Sequence, residues 1–538
     1  MLIFLALLIL GFGLRVAPLT QNRFHPDEAL YATFARLIVS GRDPLLSTVV
    51  VDKPPLPFYL TAASMALVGP TEFGARLPFL LAGVLSIALL YQLGRALYGR
   101  LAGSLAALVL ALSPMAILFA ITLFTDTLLV TFLLWSMLMA TRQKWTWAGL
   151  AFGLAFACKQ TALFFLPLII VIGLTQLLAN RPTALRLPRF LAQFALPIIF
   201  CAAIIFLWDY IRHAPISFWT QGYADNNPGR LVRSNEIWPR LAGWLDLLQH
   251  LSGTRLADLT LILGLPLLLL TRRRSLAAVY DFTLTAFTLT FLAGYWLLAF
   301  NVWDRYLLAL TPVIALLLGR VLDRLAYFVF RGLPTLTGNG MQIHADERRF
   351  FFFIRENQRS PASKMSFHSQ AGRPVFRIPL RNTKYAIHLI LLLSSFILLP
   401  SALVAARSGF SIGGDHGAYD GIDEIADTLR QVPPGSVLYD HWLSWELGFY
   451  LFDGPTYMVW MPGPESLADD LRAFGATSPR YIVSPSWESF AKTKAAIEAA
   501  GFTVEPIQTT HRRDGSLSFT LYQLKPTTTN HRPLFTIP

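Results

Sequence analysis

Phe24-His25-Pro26-Asp27-Glu28-Ala29-Leu30-Tyr31-Ala32 and Val51-Asp52-Lys53-Pro54-Pro55-Leu56-Pro57-Phe58-Tyr59-Leu60 share one short stretch between two apolar segments, 1–19 and 74–94. Each segment is long enough to cross a hydrocarbon core of about 30 Å at about 1.5 Å per residue. Carboxylates and a lysine gathered at a membrane boundary need a reason. The ordinary ones are ion handling, phosphate handling and acid–base chemistry.

Working outward, 54% of the 538 residues are hydrophobic and 14% charged, with a mean hydropathy of +0.50. A soluble domain carries roughly a quarter charged residues, so the chain reads as an α-helical polytopic membrane protein. The length rule gives eleven spans: 1–19, 74–94, 101–121, 126–141, 145–160, 161–179, 190–211, 256–271, 281–300, 306–330 and 385–405. Lys159 and Gln160 split a long apolar run into the fifth and sixth. Segment 1–19 has no Lys or Arg ahead of it and no small-residue cleavage site behind it, and it reads as a retained span. Cys158 and Cys201 lie inside apolar stretches and suggest no disulfide framework or metal spacing.

Connections carrying Arg95/Arg100, Arg142/Lys144, Arg181/Arg186/Arg189, Arg272–Arg274 and Arg320/Arg324/Arg331 alternate so as to share one side, which the positive-inside rule makes cytoplasmic. The expected organisation is a membrane domain over 1–331 with a first outer loop at 20–73, a basic cytoplasmic segment at 332–384, a last span at 385–405 and an extracytoplasmic domain at 406–538. Loops 122–125, 212–255 and 301–305 then face outside the cytoplasmic membrane too. The basic segment holds nine Lys or Arg against three acids. It reads either as a strip lying on anionic lipid or as a solvated loop. Its charge, and the net +13 of the chain, follow from topology and do not indicate nucleic-acid binding.

The tail alternates in pattern. Helices are expected at 420–431, 465–474 and 490–500, and strands at 436–440, 456–461, 480–484 and 517–524, which argues a small α/β domain. No Gly-rich phosphate loop stands out in the chain, so no nucleotide is expected.

The chemistry falls to the outer loops. Asp27 and Glu28 are adjacent and diverge, so one can face a cavity while a neighbour holds the other. Partial desolvation should raise the carboxyl pKa and improve a general base. Seen alone, the pair also reads as helix N-terminal charge after Pro26. Pro54-Pro55 fix the chain just after Lys53 and present it at headgroup depth, where it meets a phosphate or merely snorkels. Asp126 opens a span and, seen alone, reads as a cap with Thr125. Arg230, Arg233, Glu236 and Arg240 lie on the side where positive charge is disfavoured, which suggests a phosphate to meet, and Arg305-Tyr306 closes the same surface.

Asp27-Glu28-Ala29-Leu30-Tyr31-Ala32, Asp52-Lys53-Pro54-Pro55-Leu56, Glu72-Phe73-Gly74-Ala75-Arg76-Leu77-Pro78, Asp126-Thr127-Leu128-Leu129 and Asp304-Arg305-Tyr306-Leu307-Leu308 together resemble the GT-C glycosyltransferases. The likeness covers about residues 1–320 and is nearest to dolichyl-phosphate-mannose protein mannosyltransferases and lipid A aminoarabinose transferases. The resemblance implies inverting transfer of a sugar from a polyprenyl-phosphate donor to an acceptor not identified by the sequence. It makes Asp27 the base, with Glu28 beside it and Asp126 in the cavity. Lys53, with Arg230, Arg233 and Arg305, would hold the lipid phosphate. Asp52 falls where the aminoarabinose branch places a divalent metal ion, and that branch's metal-binding His has no clear counterpart in 212–255, where Glu236 is the residue available to stand in. A flippase would place its ionisable groups at mid-span, and a glycan-binding protein would not need the intact acids.

Overall fold

The computed structural model describes residues 2–179, 186–227, 229–270, 275–332 and 380–527. Most of the basic segment at 332–384 lies outside them. All eleven apolar segments form helix. Among the described residues, five helices are long and apolar enough to cross a membrane: Glu72–Tyr98, Gln160–Ala179, Leu187–Ile211, Leu276–Leu297 and His388–Ala405. Ser234–Ser252 and Arg255–Leu269, bent by 97°, make a sixth if they are one broken span. Others are shorter than the expected spans. Pro114 divides segment 101–121 into helices Arg100–Leu112 and Pro114–Phe119, and Leu2–Val16, Asp126–Thr141 and Trp145–Cys158 have 14–16 residues each. Crossings and helices are therefore not one-to-one.

Close packing in the bundle depends on small residues, as it does wherever lipid offers no hydrophobic drive between helices. A Cβ on Gly319 would stand 2.7 Å from the backbone nitrogen of Ala106, so helix Thr311–Gly332 touches helix Arg100–Leu112 backbone to backbone. Arg15 closes the end of the first helix. Its buried guanidinium donates to the carbonyls of Gly11, Leu110 and Ala111 at 2.9–3.2 Å.

The C-terminal domain is a five-stranded mixed sheet of order β2-β1-β3-β5-β4, with β1 Val437–Asp440, β2 Tyr457–Trp460, β3 Arg480–Pro485, β4 Phe502–His511 and β5 Leu517–Pro526. β1 pairs parallel with β2 and β3, and β5 runs antiparallel between β3 and β4. Strand β4 was not among the expected strands, and it carries Pro506, which a central strand would not accommodate. It is an edge strand with register shifts beginning at Pro506, where a missing N–H costs little. Helix Ser444–Tyr450 was also not expected; seven residues including Gly448 carry little propensity of their own.

That short helix docks the domain on the bundle. Arg36 donates to the Phe449 carbonyl at 2.6 Å, the Tyr450 hydroxyl bonds Glu72, and Phe24 meets the Phe449 ring edge-on at 4.8 Å. Glu446, one turn earlier on the same helix, is fully buried and neither carboxyl oxygen has a hydrogen-bond partner. Burial raises its pKa to about 8. The folded state therefore holds a proton that the unfolded chain releases near pH 4.5. Stability falls as pH rises from there to about 8, by up to about 1.4 kcal/mol per unit. Glu446→Gln should flatten this dependence and raise the thermal midpoint at pH 8, read from unfolding of the solubilised protein between pH 5 and 8.

Candidate active site

Helix Pro26–Val39 begins with a reciprocal cap. The His25 Nδ1 accepts from the Asp27 N–H at 3.2 Å, the Glu28 carboxylate accepts from the His25 N–H at 3.1 Å, and Pro26 supplies the first turn. The cap separates the two acids. Glu28 points inward, wholly buried, and accepts from Arg76 at 3.3–3.4 Å and from the Leu123 N–H at 3.1 Å. All of its bonds are to protein, and it anchors the loop from a position closed to a reacting molecule. This is the divergence expected of adjacent acids, one of them held by a neighbour, and it gives Glu28 a holding role in place of a catalytic one.

Asp27 points the other way, into an ion pair with Arg305. Burial alone would raise its pKa, but the guanidinium and its hydrogen bond prevail and leave the carboxyl below the ordinary value. The raised pKa expected from desolvation is thus corrected by one cation, whose partner was not visible in the sequence. Arg305 is held in turn. It lies over the Trp303 and Phe124 rings at 4.7 and 5.2 Å, while Asp304 accepts from its N–H at 2.7 Å and from the Gly413 N–H of the domain linker at 2.8 Å.

Asp126 does not act as a cap in partnership with Thr125, which makes no side-chain cap bond. Both its oxygens accept from the Lys159 ammonium, at 2.7 and 2.8 Å, and the pair is buried. Lys159 was read only as the boundary between two spans. In the structure it is the extended residue that ends helix Trp145–Cys158 and precedes a 3-10 turn, Gln160–Phe165. This break turns Lys159 and Gln160 inward. A lysine in an apolar run was itself the available signal.

Asp126, Lys159 and Arg305 line one space, and Asp27 adjoins it through its ion pair with Arg305 without lining it. A narrow polar throat between Tyr31, Lys53, Asp126, Lys159, Asn226, Arg305 and Tyr306 continues into a cavity of about 290 Å³, walled by Gln160, Trp219, Gly222, Tyr223 and Phe300. Tyr306 donates to Asn226 at 3.0 Å and also lies beneath the Lys159 ammonium. Through Leu163, Phe164, Tyr295 and Phe300 the cavity joins an apolar groove of about 650 Å³ between helices Leu166–Ala179 and Leu276–Leu297. Gly222 is needed where helix Phe218–Asn226 crosses the first loop. A Cβ there would stand 2.4 Å from the Asp52 carbonyl and 2.5 Å from the Gln160 amide, which itself donates to that carbonyl at 2.9 Å.

Other expected residues fall elsewhere. Arg230 and Glu236 pair with each other at 2.7 Å on an exposed loop, and Glu236 also accepts from the Arg233 N–H at 3.0 Å. That hydrogen bonding lowers the Glu236 pKa to about 2. Neither arginine lines the cavity. Asp52 pairs with its neighbour Lys53. Asp52 and Glu236, the two residues considered for a divalent metal ion, are each neutralised by a separate cation. No group of three His, Cys, Asp or Glu side chains able to hold a metal occurs among the described residues. The residues present do not fit that group.

A sequence profile described as dolichyl-phosphate-mannose-protein mannosyltransferase matches residues 52–208. The undecaprenyl phosphate-alpha-4-amino-4-deoxy-L-arabinose arabinosyl transferase of Pseudomonas aeruginosa is 28% identical over 229 residues, 39% of this chain and 40% of the relative. A candidate mannosyltransferase of Bacillus subtilis, YkcB, is 36% identical over 119 residues, 21% of this chain and 17% of the relative. The chain thus spans less than half the length of these curated relatives. The crystal structure of ArnT from Cupriavidus metallidurans bound to undecaprenyl phosphate superposes with a TM-score of 0.58 at 18% identity, covering 97% of both chains. The two chains share a fold.

The Asp126–Lys159 pair gives a stability test. Removing one partner of a buried pair leaves an uncompensated charge, which costs about 3–5 kcal/mol, whereas removing both costs far less. Lys159→Met should therefore lower the thermal midpoint sharply, and Asp126→Asn combined with Lys159→Met should recover most of the loss. Equal loss in the single and double variants would show that the pair is not a unit.

Proposed function

We propose that this chain, a member of the GT-C glycosyltransferase superfamily, transfers a sugar with inversion from a polyprenyl-phosphate donor to an acceptor hydroxyl at the extracytoplasmic face of the cytoplasmic membrane. One observation carries the reading. A throat lined by three cationic side chains opens into a long apolar groove, a shape that suits an amphiphile with a phosphate head and an isoprenoid tail. A relative of the same fold is bound to undecaprenyl phosphate, a carrier of that class.

In the proposed step the acceptor oxygen attacks the anomeric carbon and passes its proton to Asp27. The bond from that carbon to the phosphate oxygen breaks, and the electron pair leaves with the polyprenyl phosphate. Lys53 and Arg305 meet the growing phosphate charge, and Lys159 adds a third positive charge from behind Asp126. Arg305 couples the two halves of the reaction. At rest it depresses the Asp27 pKa. A phosphate drawing the guanidinium away releases that restraint, so donor binding itself makes Asp27 a better base.

The charge pairing also argues for transfer without a divalent metal. Asp27, Asp52 and Asp126 each already face a basic side chain, so the cations that a metal would supply are present as Arg305, Lys53 and Lys159. Turnover of purified enzyme should survive exhaustive chelation. Loss under chelation with recovery on adding Mg²⁺ or Mn²⁺ would reverse this assignment.

Two substitutions separate base from phosphate binding. Asp27→Asn should abolish transfer from lipid-linked sugar while polyprenyl phosphate still binds, and wild-type turnover would remove Asp27 from the mechanism. Lys53→Ala should weaken product inhibition by polyprenyl phosphate by a factor of about 10–150, the equivalent of the 1.5–3 kcal/mol of one charged hydrogen bond. An unchanged inhibition constant would place Lys53 outside the donor site.

A further inference from the structure

A second cavity lies in the C-terminal domain, at the carboxyl ends of the parallel strands. After β1 the chain turns to one face of the sheet, into helix Ser444–Tyr450, whose Leu447, Phe449 and Tyr450 join the core shared with the bundle. After β3 it turns to the other face, into helix Ala491–Ala499, whose Ile497 packs with Leu467, Leu471 and Phe502. Leu438 and Tyr439, neighbours on β1, enter these two cores separately. The two connections therefore diverge to opposite faces beside adjacent strands. In open α/β sheets that divergence leaves the crevice in which ligands bind.

The crevice here holds about 170 Å³, room for one sugar ring, and it is lined by His441, Trp442, Glu488, Ser489, Lys492 and Thr493 among others. The His441 Nδ1 lies 2.7 Å from the Met461 carbonyl, which can only accept. The proton is therefore on Nδ1, and Nε2 is left as an acceptor. Glu488 and Lys492 bring opposite charges to the same wall, so the lining offers both donors and acceptors without a net sign. That set suits a neutral polyhydroxylated ligand better than a phosphate or a hydrocarbon. Trp442 stands at the rim, 60% exposed, with its ring against His441 at 4.6 Å. Trp445 and Trp460, at 47% and 62%, flank the same end of the sheet. Exposed indoles beside a polar crevice are flat faces for the C–H side of a sugar ring.

We infer that this crevice binds one neutral sugar ring of a glycan, stacked on Trp442 with its hydroxyls on the polar wall. Binding at this position is independent of the reaction proposed above. That the bound glycan is the acceptor, held by the domain while another part of it reaches Asp27, rests on that reading.

The test is saturation-transfer NMR on the full chain in lipid nanodiscs free of sugar-headed detergents, with methyl mannoside, methyl glucoside, methyl galactoside and methyl arabinofuranoside as probes. Wild-type protein should transfer saturation to at least one of them, Trp442→Ala and Thr493→Val should cut the signal at least fivefold, and Asp27→Asn should keep it. Absence of transfer to all four probes would overturn the inference. So would a signal that survives in Trp442→Ala and disappears in Asp27→Asn, because the sugar would then sit in the candidate active site. Brominated lipid that quenches the Trp442-dependent fluorescence would show the indole to be a membrane anchor, and would also overturn the inference.

Discussion

A single buried guanidinium sets the geometry on which the rest of the structure depends. Arg76 is 1% exposed and spends its donors on the carbonyls of Leu19, Asn22 and Arg23 and on the carboxylates of Glu28 and Glu72, with the Phe24 ring below it at 4.9 Å. An unpaired cation in such a place would cost several kcal/mol, so the loop after the first helix has to wrap around it. The wrapping fixes Glu28, Glu28 fixes the start of helix Pro26–Val39, and Asp27 is thereby turned away from Glu28 to meet Arg305. Glu72 extends the same network to Tyr450, so the C-terminal domain is registered against the loop by the same charge.

The throat is built from three acid–base pairs: Asp27 with Arg305, Asp52 with Lys53 and Asp126 with Lys159. Each pair satisfies a carboxylate that would be expensive to leave bare at low dielectric. The arrangement is charge-balanced when empty. In the proposed reaction, a phosphate entering it would compete for the cations and loosen the carboxylates, converting a resting, structurally stable cluster into a reactive one. Under that proposal, binding and activation would follow from the same redistribution of charge.

Much of this was legible in the sequence, and the failures are physical. The apolar segments are helical in the described residues, Lys53, Asp126 and Arg305 line one space, and Asp27 reaches its rim through its ion pair with Arg305, 278 residues away. Lys159 escaped because a charge inside an apolar run reads as a boundary until the Asp126 carboxylate, 33 residues away, is seen beside it. Arg230 and Glu236 looked like site residues because charge on an outer loop is unusual, and six residues apart they satisfy one another. Glu28 could not be told from Asp27 until the cap divided them. In the tail, edge strand β4 has Pro506 and two register shifts that interrupt its pattern, and a seven-residue helix with a glycine left none.

The most direct test of the central claim is a structure of the chain with undecaprenyl phosphate in lipid nanodiscs. The account places the phosphate in contact with Lys53 and Arg305, the isoprenoid tail along Phe164, Phe287 and Phe291, and the Arg305 guanidinium withdrawn from Asp27. Density for the phosphate away from these two side chains, or an Asp27–Arg305 pair unchanged in the complex, would contradict it.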